Sequence, residues 1–258
     1  SAPLTESQCD SLLHALKGSD PQRRSVIQAH TRLGLQSGTP FIQTLIHDEN
    51  PLISGAARAF CARVEGDLDQ LKPLIPQLND LQAGRRRSAV IDLGDAGDVT
   101  MLDYLIKSAV SMPLRAKSAF QLVDPSKKAE VPEEHISTIT SLLQDDPRSL
   151  SLRDEWLSNQ DPIEIENNLQ HRDEGKQYGA ALSLLKMTRP QQLEIIDGIR
   201  SRLWSDYGAN YLLTSLIGLG SIGEREELIR TSLAETLPQY AKSRVAAAWG
   251  CLKLDLKD

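Results

Sequence analysis

A chain of 258 residues with 40% apolar and 25% charged side chains is long enough to bury a substantial core and too apolar to remain disordered. Aromatics make up only 4%, so the core has to be built from Leu, Ile, Val and Ala, which suits helix-on-helix packing. A formal net charge of -6 leaves no broad cationic footprint for nucleic acid. The opening residues, Ser1 to Glu6, have neither a basic nor an apolar targeting region, and no run approaches the ~20 apolar residues of a membrane span. Cys9, Cys61 and Cys251 are odd in number and far apart, so neither a disulfide framework nor a Cys-x-x-Cys site is expected, and a reducing cytoplasm is.

In chain order, one phrase recurs: a basic or small residue, paired small residues, then Leu-Gly or an equivalent. It spans Arg24 to Gly34, Ala57 to Val64, Arg86 to Gly94 and Arg115 to Val123. The closing residues Leu33, Val64, Leu93 and Leu122 are separated by 31, 29 and 29 positions, which implies one stacked unit per phrase. The later phrases are preceded by amphipathic segments, Pro40 to His47, Leu68 to Leu78 and Met101 to Ile106, so the expected unit is helix, turn, helix. Asp20-Pro21, Glu49-Asn50-Pro51 and Asp145-Asp146-Pro147 stand where one helix must stop and the next begin. The polar, Pro-bounded segment 124–132 reads as a longer loop between repeats.

The second half repeats more loosely, through Pro132 to Leu143, Pro162 to Leu169, Lys176 to Leu185, Gln191 to Leu203, Tyr207 to Leu219, Glu224 to Leu233 and Ser243 to Leu252. No strand-length alternation interrupts it. The expectation is therefore an all-α, α/α superhelical solenoid of about eight HEAT-like helix pairs forming a single domain over 1–258.

Motifs for chemistry are sparse. Gly218-Leu219-Gly220-Ser221-Ile222-Gly223 matches G-x-G-x-x-G, but a dinucleotide site needs a preceding strand and a βαβ unit, so a helix-ending turn is the better reading. His14, His30, His47, His135 and His171 never pair at i,i+3 or i,i+4 with one another, so no metal site is expected. No Walker A, G-x-S-x-G or H-E-x-x-H occurs. Trp204, Tyr207 and Tyr211, spaced three and four apart, suit a stacking wall for a flat ligand and equally suit packing between repeats, as does Trp249.

A helical wheel adds one constellation. With Arg86, Ala89, Val90 and Leu93 turned toward neighbouring helices, Ser88, Ile91 and Asp95 point away, flanked by Arg87 and Asp92. Equivalent positions one repeat to either side make Arg58, Arg87 and Lys117 either a basic ladder along a groove or three unrelated surface charges.

The phrases Leu93 to Asp98, Val110-Ser111-Met112-Pro113-Leu114-Arg115 and Ala247-Ala248-Trp249-Gly250 resemble those of the E/F-type phycobilin lyases, whose degenerate HEAT-like pattern covers most of the chain. The resemblance implies attachment of a linear tetrapyrrole, a phycobilin, to a cysteine of a phycobiliprotein subunit, with bilin isomerisation in some members and a second lyase chain in others. The attacking thiol would belong to the acceptor, so the enzyme would need no nucleophile, metal or cofactor of its own. On that reading Arg58, Arg87 and Lys117 would pair with bilin propionates, and Trp204, Tyr207, Tyr211 and Trp249 would line the pigment. Asp92 or Asp95 would accept pyrrole N–H bonds or supply a proton. A non-catalytic repeat scaffold for phycobilisome handling and a bilin carrier remain as alternatives.

Overall fold

The computed structural model describes residues 5–123, 133–157 and 161–256, and every regular element among them is helical. The fold is all-α. The expected long loop at 124–132 lies outside the described residues. The chain divides into two compact units, Ser1–Ile139 and Thr140–Asp258. The first holds α1 (Glu6–Ala15), α2 (Asp20–Leu33), α3 (Thr39–Ile42), α4 (Pro51–Phe60), α5 (Ala83–Ala96), α6 (Leu102–Ile106) and α7 (Met112–Val123). After α8 (Glu133–Gln144), which straddles the division, come α9 (Pro162–Leu169), α10 (Glu174–Lys186), α11 (Arg189–Leu203), α12 (Tyr207–Leu219), α13 (Glu226–Ala234) and α14 (Ala241–Leu254). None of the described helices is long and apolar enough to cross a membrane.

The turn residues act through capping. Ser19 and Gln22 form a capping box at the start of α2, and Thr188 with Gln191 repeats it at α11. Asn50, Asp161, Asp173 and Asp206 each accept a backbone N–H at the start of α4, α9, α10 and α12, satisfying donors the helix cannot pair internally. Gly34 and Gly97 end α2 and α5 at positive φ, where a Cβ would be strained.

In the first unit the leading segment of each pair is less regular than the spacing predicts. Pro40 to His47 forms only the short α3 and a 3-10 turn, and Leu68 to Leu78 is 3-10 throughout its regular parts. Pro73 and Pro76 remove two backbone donors within one turn, which blocks an α-helical ladder there. The trailing helices α2, α4, α5 and α7 are regular, with α2 on α4, α4 on α5 and α5 on α7. Ile27, Ile42, Ile53 and Phe60 are fully buried in one cluster, each contributing about 1.5–3 kcal/mol of burial.

The basic residue of the recurring phrase has a structural task. Arg58 donates to the carbonyl of Ile46 at 2.9 Å, Arg86 to those of Asp80 at 2.8 Å and Leu81 at 3.1 Å, and Arg115 to that of Ile106 at 2.8 Å. In the second unit Arg244 repeats it on Glu235 and Leu237. Each guanidinium thus reaches back from its own helix to carbonyls left open where the preceding segment ends. Arg86 also donates to Ala109, at the corresponding turn of the next pair.

In the second unit α9 packs on α10, α11 on α12, and α14 on both α12 and α13, around Ile165, Leu184, Ile196, Leu213, Ile217 and Ile229. Glycines set the closest approaches. A Cβ on Gly218 would lie 2.8 Å from Gly250 Cα, so α12 and α14 touch backbone to backbone, which accounts for the first glycine of the G-x-G-x-x-G match. After Asp145 the next α-helix waits until Pro162; Asp146 caps only a 3-10 turn, Pro147–Ser149. The chain between crosses α10 where Gly175 and Gly179 leave room for the buried Trp156 and its carbonyl.

Candidate functional site

Asp92 and Asp95 sit three residues apart on α5, and Arg24 and Arg32 stand eight apart on α2; both spacings keep a pair on one helix face. Arg24 Nη2 donates to Asp92 Oδ1 at 2.6 Å and Nη1 to Oδ2 at 3.2 Å, while Nη1 also donates to the Leu52 carbonyl. Arg32 clasps Asp95 with Nε at 2.7 Å and Nη2 at 2.9 Å. Gln121 of α7 donates to Asp95 Oδ1 at 3.3 Å, and Arg63 donates to the Asp95 carbonyl at 3.0 Å. Residues of α2 and α7 therefore converge on the two carboxylates of α5, and Arg63 on the Asp95 backbone. α4 lies against both α2 and α5, and the ion pairs pass it at Gly55, where a Cβ would stand 2.7 Å from Asp92 Oδ2.

Burial drives the electrostatics. Removal from water pushes the Asp92 carboxyl up to about 7, helped by the neighbouring charge of Asp95 and opposed by Arg24 and a hydrogen bond with Gln28. Asp95 in turn raises Arg32, first through their hydrogen bond. Asp92 can thus exchange a proton near neutral pH while held by Arg24, whose side chain is 14% exposed.

The wheel placed Asp95 away from neighbours, whereas it is buried because Arg32 reaches it from two helix pairs away. Arg24, Gln28, Arg32 and Gln121 escaped the sequence reading; two arginines two turns apart, facing two aspartates one turn apart, were the available signal. The ladder is divided. Arg58 shares the carbonyl-capping role of Arg86 and Arg115 and also donates to Gln70 at 2.8 Å, Arg87 is half-buried, and Lys117 is exposed.

The aromatic group is divided too. Trp204 is half-buried at the end of α11 against the core, and Tyr207 is 61% exposed at the start of α12. Tyr211 turns inward, its hydroxyl donating to Asp145, which also receives Tyr178 at 2.8 Å; Lys242 lies 4.3 Å from the Tyr211 ring centroid. Trp249, half-buried, borders a water-sized void with Gln144, Ser215, Leu219 and Lys253.

Because Asp92 is held by Arg24, it cannot swing away from an added methyl. Gly55→Ala is therefore expected to destabilise the protein by about 1–3 kcal/mol, although alanine in an ordinary helix interior would stabilise by about 1 kcal/mol. Urea unfolding checks it; a stabilised variant would mean the carboxylate is free to move.

No family model matches the chain. It is 25% identical over 240 residues to an uncharacterized phycocyanin operon protein Y of Pseudanabaena tenuis, covering 90% of this chain and 56% of that protein. It is 22% identical over 262 residues to the bilin biosynthesis protein CpeY of a Synechococcus strain, covering 95% of this chain and 60% of that one. The chain thus spans 56% and 60% of the length of these curated relatives.

Proposed function

We propose that this protein acts in the covalent attachment of a phycobilin to a cysteine of a phycobiliprotein subunit. The observation that carries the reading is similarity along 90% and 95% of the chain to proteins named for the phycocyanin operon and for bilin biosynthesis. These names support a role with bilins and the resemblance to E/F-type phycobilin lyases. The lyase step is our inference from that resemblance and from the chemistry of the residues.

The acceptor thiolate adds to the ethylidene carbon of the bilin A ring, and a proton completes the addition at the ring system. A protein that fixes thiol and pigment together makes this effectively unimolecular, and positioning alone reaches effective molarities of about 10⁵ M or more. In the first unit, the exposed Lys117 is the cation for a propionate, since Arg58 is engaged with backbone and Gln70. Asp92, with its carboxyl near neutrality, is the candidate to hand a proton to the pigment. In the second unit, Trp204, Tyr207 and Trp249 are partly exposed aromatics that suit a conjugated ligand.

Co-expression with a bilin-synthesis pathway, candidate acceptor subunits and, in a parallel arm, a second lyase chain tests the reading. Denaturing gels should show zinc-enhanced fluorescence on one acceptor above an acceptor-only control. No added pigment in any arm would sink the lyase reading, and a shifted bilin absorption spectrum without transfer would mark a carrier.

A further inference from the structure

A concavity of the first unit lies away from the ion-paired aspartates. Its volume is about 390 Å³, and it is lined by Asp10, His14, Leu16, Lys17, Phe41, Thr44 and Leu45. Leu16 and Leu45 pack against the core cluster of Ile27, Ile42 and Phe60, so the floor is apolar and anchored. Phe41 is 57% exposed on the wall, an aromatic left in water where core positions were near at hand. Asp10, His14 and Lys17 recur at four and three residues along α1 and the turn after it, which sets all three on one side.

These three side chains differ from the arginines of α2. Arg23, Arg24 and Arg32 are each engaged with an aspartate, whereas Asp10, His14 and Lys17 make no side-chain ion pair or hydrogen bond among the described residues. An apolar floor, an exposed aromatic and uncommitted groups of both signs form an amphiphilic site. Such a site suits a flat, conjugated molecule bearing a carboxylate. The volume lies near the small end of ligand pockets, so one end of an elongated ligand fits while the remainder lies outside.

We infer that this cavity binds one propionate-bearing end of a linear tetrapyrrole, an inference that rests on the proposed role with bilins. The propionate meets Lys17 and His14, pyrrole rings lie against Phe41 and Leu45, and the Asp10 carboxylate accepts a pyrrole N–H.

Titration of the purified protein with biliverdin, followed by its long-wavelength absorption, tests this. Lys17→Glu and Phe41→Ala, both at exposed positions, should keep the helical circular dichroism spectrum and each weaken binding by about tenfold, the scale of one lost charge-assisted or stacking contact. Lys17→Arg should bind as the parent does. Biliverdin dimethyl ester, which lacks the carboxylate charge, should bind the parent weakly and be indifferent to Lys17→Glu. Undiminished binding by both variants, or absence of biliverdin binding by the parent, overturns the cavity assignment. The attachment assay reports separately: pigment transferred to an acceptor despite either result leaves the proposed function standing and moves the pigment site elsewhere.

Discussion

Replacing Arg86 by methionine is expected to cost about 3–5 kcal/mol of stability, as measured by urea unfolding. The side chain is fully buried and its guanidinium donates to three backbone carbonyls, of Asp80, Leu81 and Ala109, at 2.8 to 3.1 Å. Methionine fills comparable space but donates nothing, so three acceptors lose this partner in a place water does not reach. Arg86→Lys should recover only part of the loss, because an ammonium is a point charge and cannot present a planar fork to carbonyls on two different turns. Lys117→Met, at an exposed position, is the control and should stay within about 0.5 kcal/mol of the parent. If Arg86→Met behaved like that control, the carbonyl-capping role would have to be withdrawn for Arg58 and Arg115 as well, since the argument is the same at all three.

That role explains why the helical class was legible and the site only partly so. The repeat phrase, with its small residues and closing Leu-Gly, follows from close helix packing, and the capping residues Asn50, Asp161 and Asp206 act where the turn signals and the starts of the repeated segments placed them. Among these carbonyl-capping arginines Arg58 looked like a groove residue, because a wheel reports direction around one helix and nothing about what stands opposite. Counting 29 from Arg87 leads to Arg58, but its bond to the Ile46 carbonyl groups it with Arg86, one residue away. Two prolines within four residues, Pro73 and Pro76, outweighed the apolar spacing of Leu68, Leu71 and Leu78 and left 3-10 turns. Asp92 and Asp95 were found as acidic residues on the right helix. Their partners Arg24 and Arg32 lie 68 and 63 positions away, a pairing that depends on α2 meeting α5 across Gly55 and that no local pattern encodes.

The same pairing predicts an unusual pH dependence. The ordinary carboxylate value is 3.8, and in the folded protein burial raises Asp92 to about 7. Below about pH 4 the group is protonated in both states and contributes no slope. Between there and pH 7 the unfolded chain releases the proton while the folded chain holds it, so the unfolded state binds fewer protons and stability falls as pH rises. Above pH 7 both states are ionised and the loss is complete, at most about 4 kcal/mol for a shift of this size. Asp92→Asn keeps an oxygen for Arg24 and removes the titration. Its stability should therefore lose the downward slope between pH 5 and 7 that the parent carries, whatever the absolute cost of weakening the ion pair. Urea unfolding of both proteins at pH 5, 6, 7 and 8 gives the comparison. Parallel curves would mean that Arg24 and Gln28 outweigh burial, leaving Asp92 ionised throughout and unable to serve as a proton donor to a bound pigment.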